Sequence, residues 1–104
     1  MELITQEILD KAPPLYANEH VAPEDVPVIA KFFAPVGRMT FFMTEFNPDT
    51  RIAFGWMVSP LGPDCDELGY VSIDELEGVE LPYGLRIERD LHLGEMTLAE
   101  AMAS

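Results

Sequence analysis

From Val28 onward the chain alternates between apolar and polar positions in three runs. Val28–Ala34, Arg38–Phe46 and Arg51–Val58 are rich in β-branched and aromatic residues, with turn chemistry between them at Pro35-Val36-Gly37 and Asn47-Pro48-Asp49-Thr50. Strands joined this closely predict an antiparallel meander. A two- or four-residue loop centred on Pro48-Asp49 sets Phe46 opposite Arg51 and therefore Phe41 opposite Trp56. One face then carries Met39, Phe41, Met43, Ile52, Phe54, Trp56 and Val58, with Glu45 at its end, and reads as the core. Thr40, Phe42, Thr44, Phe46, Arg51, Ala53, Gly55 and Met57 fall on the opposite, mixed face. With Val36-Gly37 at the tip of the first hairpin, Phe32 lies opposite Phe41, and Lys31 and Phe33 join the mixed face.

The flanking segments predict short helices and one further pair of strands. Thr5 caps a helix that Pro13 and Pro14 stop, with Ile4 and Leu9 spaced as a hydrophobic staple. Residues 13–27 hold Pro13, Pro14, Pro23 and Pro27 and read as a long ordered loop, whose Leu15 and Tyr16 can cover the mixed face. Glu67–Ser72 is a strand, and Ser72 followed by Glu75 is a capping pattern for a helix that Gly78 closes. In residues 85–93, Leu85, Ile87, Leu91 and Leu93 alternate with Arg86, Glu88, Asp90 and His92, which predicts a half-buried strand broken only by Arg89. Thr97 and Glu100 open a terminal helix. The expected fold is α+β, an antiparallel β-meander of about four to five strands with short helices packed on one face, over residues 1–104 as one domain.

Charge narrows the partners. Nineteen acidic residues against six basic ones give a formal net charge of −13, which repels phosphate backbones and anionic headgroups. Direct nucleic-acid binding and membrane binding are thereby disfavoured, and a basic protein or a cation is the electrostatically favoured partner. The same acidity also keeps a small apolar protein in solution. Cys65 is the only cysteine, so no disulfide can form within the chain, which fits a reducing compartment. The opening residues MELITQEILDK lack a basic segment followed by an apolar run, and a cytoplasmic location is expected.

Three places can carry chemistry or recognition. Glu88, Asp90 and His92, spaced by two on a strand, share one face and can ligate a divalent cation with His20 in support, in a metal-binding protein or a metal-dependent hydrolase, although Arg86 on that face offers a salt bridge instead. Asp64, Asp66 and Glu67 form a second acidic group able to bind Ca²⁺ weakly, or to remain a solvated turn. No HExxH, CxxC, GxSxG, P-loop or GxGxxG is present, so no residue is assigned to catalysis. Phe33, Phe42 and Phe46, with Tyr16 from the proline-rich loop, make a candidate interaction face if the mixed side is left open. A small molecule bound between that loop and the sheet, with Tyr16, Trp56 or Tyr70 at the rim, is the third reading.

Taken in order, LITQEILDKAPPLYANE, VIAKFFAP, MTFFMTEFNPDT, FGWMV, ELGYVSIDELE and GLRIERDLHL resemble the domain of unknown function 2958 family. The likeness runs over residues 3–93, and the ordered set is what makes it specific. The resemblance implies a small bacterial protein of the kind often met on plasmids and other mobile elements. It assigns no activity, ligand or catalytic residue. An accessory role through protein interaction, including imitation of the charge of DNA, is compatible with it.

Overall fold

The computed structural model describes residues 2–104. Five antiparallel strands form one open sheet: β1 (Ala30–Phe33), β2 (Thr40–Asn47), β3 (Ile52–Val58), β4 (Glu67–Ser72) and β5 (Glu88–Arg89), in spatial order β4-β3-β2-β1-β5. Three short helices accompany them, α1 (Gln6–Lys11), α2 (Ile73–Gly78) and α3 (Leu98–Ala103). Each begins where the sequence places a cap. Thr5 Oγ1 accepts from Ile8 N, Ser72 Oγ from Glu75 N, and Thr97 and Glu100 form a reciprocal capping box. The Ile4–Leu9 staple does not form as expected, because Leu9 stays exposed while Ile8 turns into the core.

The first hairpin has the predicted register, with Phe32 opposite Phe41. The second does not. Its loop is Pro48–Arg51, shifted toward Arg51, with Asn47 opposite Ile52 and Phe46 opposite Ala53. The cause is local: Asn47 Oδ1 accepts from the N–H groups of Asp49 and Thr50, Arg51 N donates to Asn47 O at 2.8 Å, and Arg51 itself adopts a left-handed φ of 57°. A β-bulge at Thr44 then offsets the pairing by one residue, so that Phe42 meets Trp56 and Phe41 meets Met57. The expected Phe41–Trp56 pair is therefore corrected.

The loop shift, two residues long, leaves the faces of β3 as expected, and the one-residue bulge exchanges them. The larger core holds Phe41, Met43, Phe46 and Ala53 with Phe32 and Ile73, and it is closed by Leu3, Ile4, Ile8 and Leu76 from the α1 and α2 regions. Ile52, Phe54, Trp56 and Val58, expected in that core, lie on the other side of the sheet from it, by the alternation of a strand whose Ala53 faces inward. There Trp56 and Val58 pack with Val28 and Phe42 against Ala101 of α3. The helices thus divide between both faces rather than gathering on one.

The strand expected over residues 85–93 shortens to Glu88–Arg89, which pairs with Phe33 and Phe32 of β1. Beyond it Asp90 Oδ1 accepts from His92 N at 2.8 Å and turns the chain away, so Leu91 is exposed and Leu93 joins the smaller cluster. Among the described residues no helix is long and apolar enough to cross a membrane.

Candidate binding cleft

β2 is twice as long as β1, and the proline-rich loop takes over where β1 ends. Phe46 N donates to Pro13 O at 3.0 Å, continuing the edge that β1 leaves open. At the same place the bulge turns Glu45 away from the large core, onto the face where the loop lies. Its two carboxylate oxygens accept from Tyr16 N at 2.6 Å and Asn18 N at 3.3 Å, and only 4% of the residue is exposed. Hydrogen bonds to a charged acceptor are the strong ones, so this carboxylate fastens the loop to the sheet. Tyr16 meets it with a left-handed φ of 72°, a conformation that costs a side-chain-bearing residue roughly 1–2 kcal/mol and persists only where its surroundings enforce it.

Between loop and sheet lies a cleft of about 350 Å³. Thr44, Glu45, Phe54, Leu68 and Tyr70 form its sheet side, and Tyr16, Asn18 and Glu19 with Val21 and Val26 come from the loop. Tyr70 packs on Phe54 with ring centroids 5.1 Å apart, and Tyr16 stands edge-on to Tyr70 at 6.3 Å. The hydrogen bond that the Tyr70 hydroxyl donates to Tyr16, together with desolvation and the nearby Tyr16, Glu45 and Glu19 charges, holds the Tyr70 phenol above its usual pKa. Thr44 Oγ1 donates to Phe54 O at 3.3 Å, and Asn18 Nδ2 is buried with no hydrogen-bond partner. No Lys, Arg or His lines this cleft among the described residues.

The residues singled out in the sequence are dispersed. Tyr16 lies at the cleft with its side chain exposed, whereas Phe42 is buried beneath Val28 and Ala101, with Lys31 Nζ 5.4 Å from its ring. Phe46 is on the opposite face, 2% exposed inside the large core, so Phe33, Phe42 and Phe46 do not make one patch. The reason is the bulge, which puts Phe46 in phase with Met43 rather than with Phe42.

Glu88, Asp90 and His92 line one open hollow of about 460 Å³ beside Lys31 and Phe33. They do not converge on a cation, and among the described residues no three His, Cys, Asp or Glu side chains could hold a metal ion. Asp90 instead faces Lys31 Nζ at 3.7 Å and receives the His92 N–H, because the strand that would have aligned the three ends at Arg89. Of the acidic loop, Asp66 is taken up by Arg38 at 2.8 and 3.0 Å and by Ser59 N at 2.7 Å. The Arg38 guanidinium holds the Asp66 carboxyl below the usual aspartate range. Glu45, Asn18 and Phe54 went unmarked in the sequence. The one signal there was a glutamate inside the Phe- and Met-rich run MTFFMTEFN.

Neither a curated protein nor a solved structure matches the chain. The family model described as "Protein of unknown function (DUF2958)" matches residues 3–102. That span takes in the bulge, the loop and every residue lining the cleft, and the chain belongs to the DUF2958 family.

Proposed function

We propose that this domain is a non-catalytic binding module whose ligand is a cation with an apolar stem, held in the cleft between the proline-rich loop and the sheet. The observation that carries the reading is Glu45, a buried carboxylate which the bulge turns toward three aromatic rings. A carboxylate has about four acceptor positions, and two backbone N–H groups occupy only part of that capacity. With Glu19 alongside and no basic residue in the lining, the site repels anions. Tyr16, Phe54 and Tyr70 supply ring faces of the kind that attract ammonium and guanidinium groups. Among the described residues no His or Cys enters the cleft and its one aliphatic hydroxyl, Thr44, is bonded to backbone, so the lining supports binding rather than group transfer. An accessory role on mobile elements, implied by the family resemblance, accords with a module of this kind.

The test uses N-acetylated lysine and arginine amides, titrated calorimetrically and followed by amide shifts at Tyr16, Asn18 and Tyr70. Saturable binding that Glu45→Gln weakens by about tenfold, the loss of one charge-assisted contact, is expected. Absence of saturable binding, or equal binding by Glu45→Gln, refutes the proposal.

A further inference from the structure

β4 is the end strand of the sheet, with no strand beyond it among the described residues. Its pairing with β3 fixes which backbone groups are left over. Ile73 N donates to Arg51 O, so the bonded pairs continue in steps of two through Ala53–Val71, Gly55–Gly69 and Met57–Glu67. The N–H and C=O groups of Leu68 and Tyr70 consequently face outward. The side chains of these same two residues line the cleft, and both are well exposed, 40% and 54%. Natural sheets guard such an edge with proline, lysine or a bulge, and β4 (ELGYVS) has none of them.

We infer that the occupant is an extended, basic segment of another protein, which adds to β4 as a sixth strand and delivers a Lys or Arg side chain into the cleft. Strand addition gives main-chain hydrogen bonds along the edge, while alternate side chains enter whatever pocket borders it. Here the bordering pocket is the one carrying Glu45. Charge selects the partner: Asp64 and Glu67 stand at the start of the strand, and the whole chain has a net charge of −13. A second copy of this chain would bring a second edge of the same sign and is disfavoured. The inference rests on the cleft reading, since it supplies the backbone to which that cation belongs.

The experiment is a titration with synthetic peptides in which Lys or Arg alternates with Thr or Val, read by hydrogen exchange of individual amides. Binding should slow exchange at Leu68 and Tyr70 while leaving Gly69 and Val71, already bonded to β3, unchanged. Affinity should fall several-fold from low to high salt. The same peptides N-methylated at alternate residues should lose at least about tenfold in affinity in the register that faces β4. If the parent peptides fail to bind while the lysine and arginine amides still do, or if Leu68 and Tyr70 exchange stays unaltered, or if methylation has no effect, strand addition is overturned and the cleft reading stands. If the amides also fail, both fall.

Discussion

Gly55 lies opposite Met43 beside the bulge and close to the Phe42 carbonyl, and it provides the sharpest test of the bulge that builds the cleft. A Cβ at this position would lie 1.9 Å from Phe42 O, 2.8 Å from Phe42 C and 3.0 Å from Met43 Cα. An ordinary C···O contact is about 3.3 Å, so the overlap with the carbonyl oxygen exceeds 1 Å by a good margin, and roughly 1.4 Å of separation must be found. All three atoms are backbone, which cannot rotate away as a side chain would. Overpacking a core costs about 1–3 kcal/mol when side chains can yield. Here strand separation must also weaken one or two ladder hydrogen bonds worth about 1 kcal/mol each, giving about 2–5 kcal/mol for Gly55→Ala. At about 4–8 °C per kcal/mol this lowers Tm by at least about 8 °C. The control is Gly69→Ala, directly across the ladder on β4, where an added Cβ meets nothing within 4 Å. It should change stability by less than about 1 kcal/mol. Urea denaturation followed by circular dichroism measures both. A Gly55→Ala protein within about 0.5 kcal/mol of the parent, or no worse than Gly69→Ala, would show that the close approach and the bulge are misplaced.

Phe41 is fully buried, and Phe41→Ala should cost about 3–5 kcal/mol by chemical denaturation; a loss under about 1 kcal/mol would reject the face assigned to the large core. Glu45→Ala leaves the Tyr16 and Asn18 amides without their acceptor and should cost about 1–3 kcal/mol, with residues 13–27 becoming sensitive to limited proteolysis before the sheet does. Unaltered proteolysis would count against Glu45 as the fastening of the loop. Because Arg38 lowers the folded pKa of Asp66, their pairing stabilises the protein fully above the ordinary aspartate range and is lost as pH falls through the lower folded value. The parent and Arg38→Met should therefore differ in stability at neutral pH and converge in strong acid, and a difference that persists there contradicts the ion pair. Tyr70, raised above its usual pKa mainly by Tyr16, should ionise later than an ordinary phenol in an alkaline absorbance titration, and Tyr16→Phe should move it back down. Its contribution is present below the ordinary phenol value and disappears as pH rises through the raised one.

Local chemistry was legible wherever the cause lies within a few residues. Thr5, Ser72 and Thr97 are helix caps by sequence and by structure, and Pro35-Val36-Gly37 delivers the first hairpin in register. The antiparallel meander follows from the runs of Phe, Met, Val and Ile and the turns between them. Residues 85–93 show the limit of that logic, since alternation predicts a strand as long as the pattern, whereas a ladder lasts only as long as its partner. β1 ends at Phe33, so pairing begins only at Glu88, and past Arg89 the Asp90 side chain turns the chain away from the rest of β1. The metal reading of Glu88, Asp90 and His92 depended on that missing length.

The division of inside from outside was decided in three dimensions. A strand has period two, so a single extra residue exchanges its faces, and nothing in MTFFMTEFN marks Thr44 as that residue. The bulge forms because Phe41, Met43 and Phe46 all reach the same core only if one position between them is left unpaired. That arrangement also turns Glu45 outward to meet two backbone N–H groups of a loop 27 to 29 residues earlier in the chain. Local residue chemistry settles which elements exist. Their packing against one another determined which side chains face the cleft, because the hydrophobic gain from burying three aromatic and apolar residues together outweighs one lost backbone pairing.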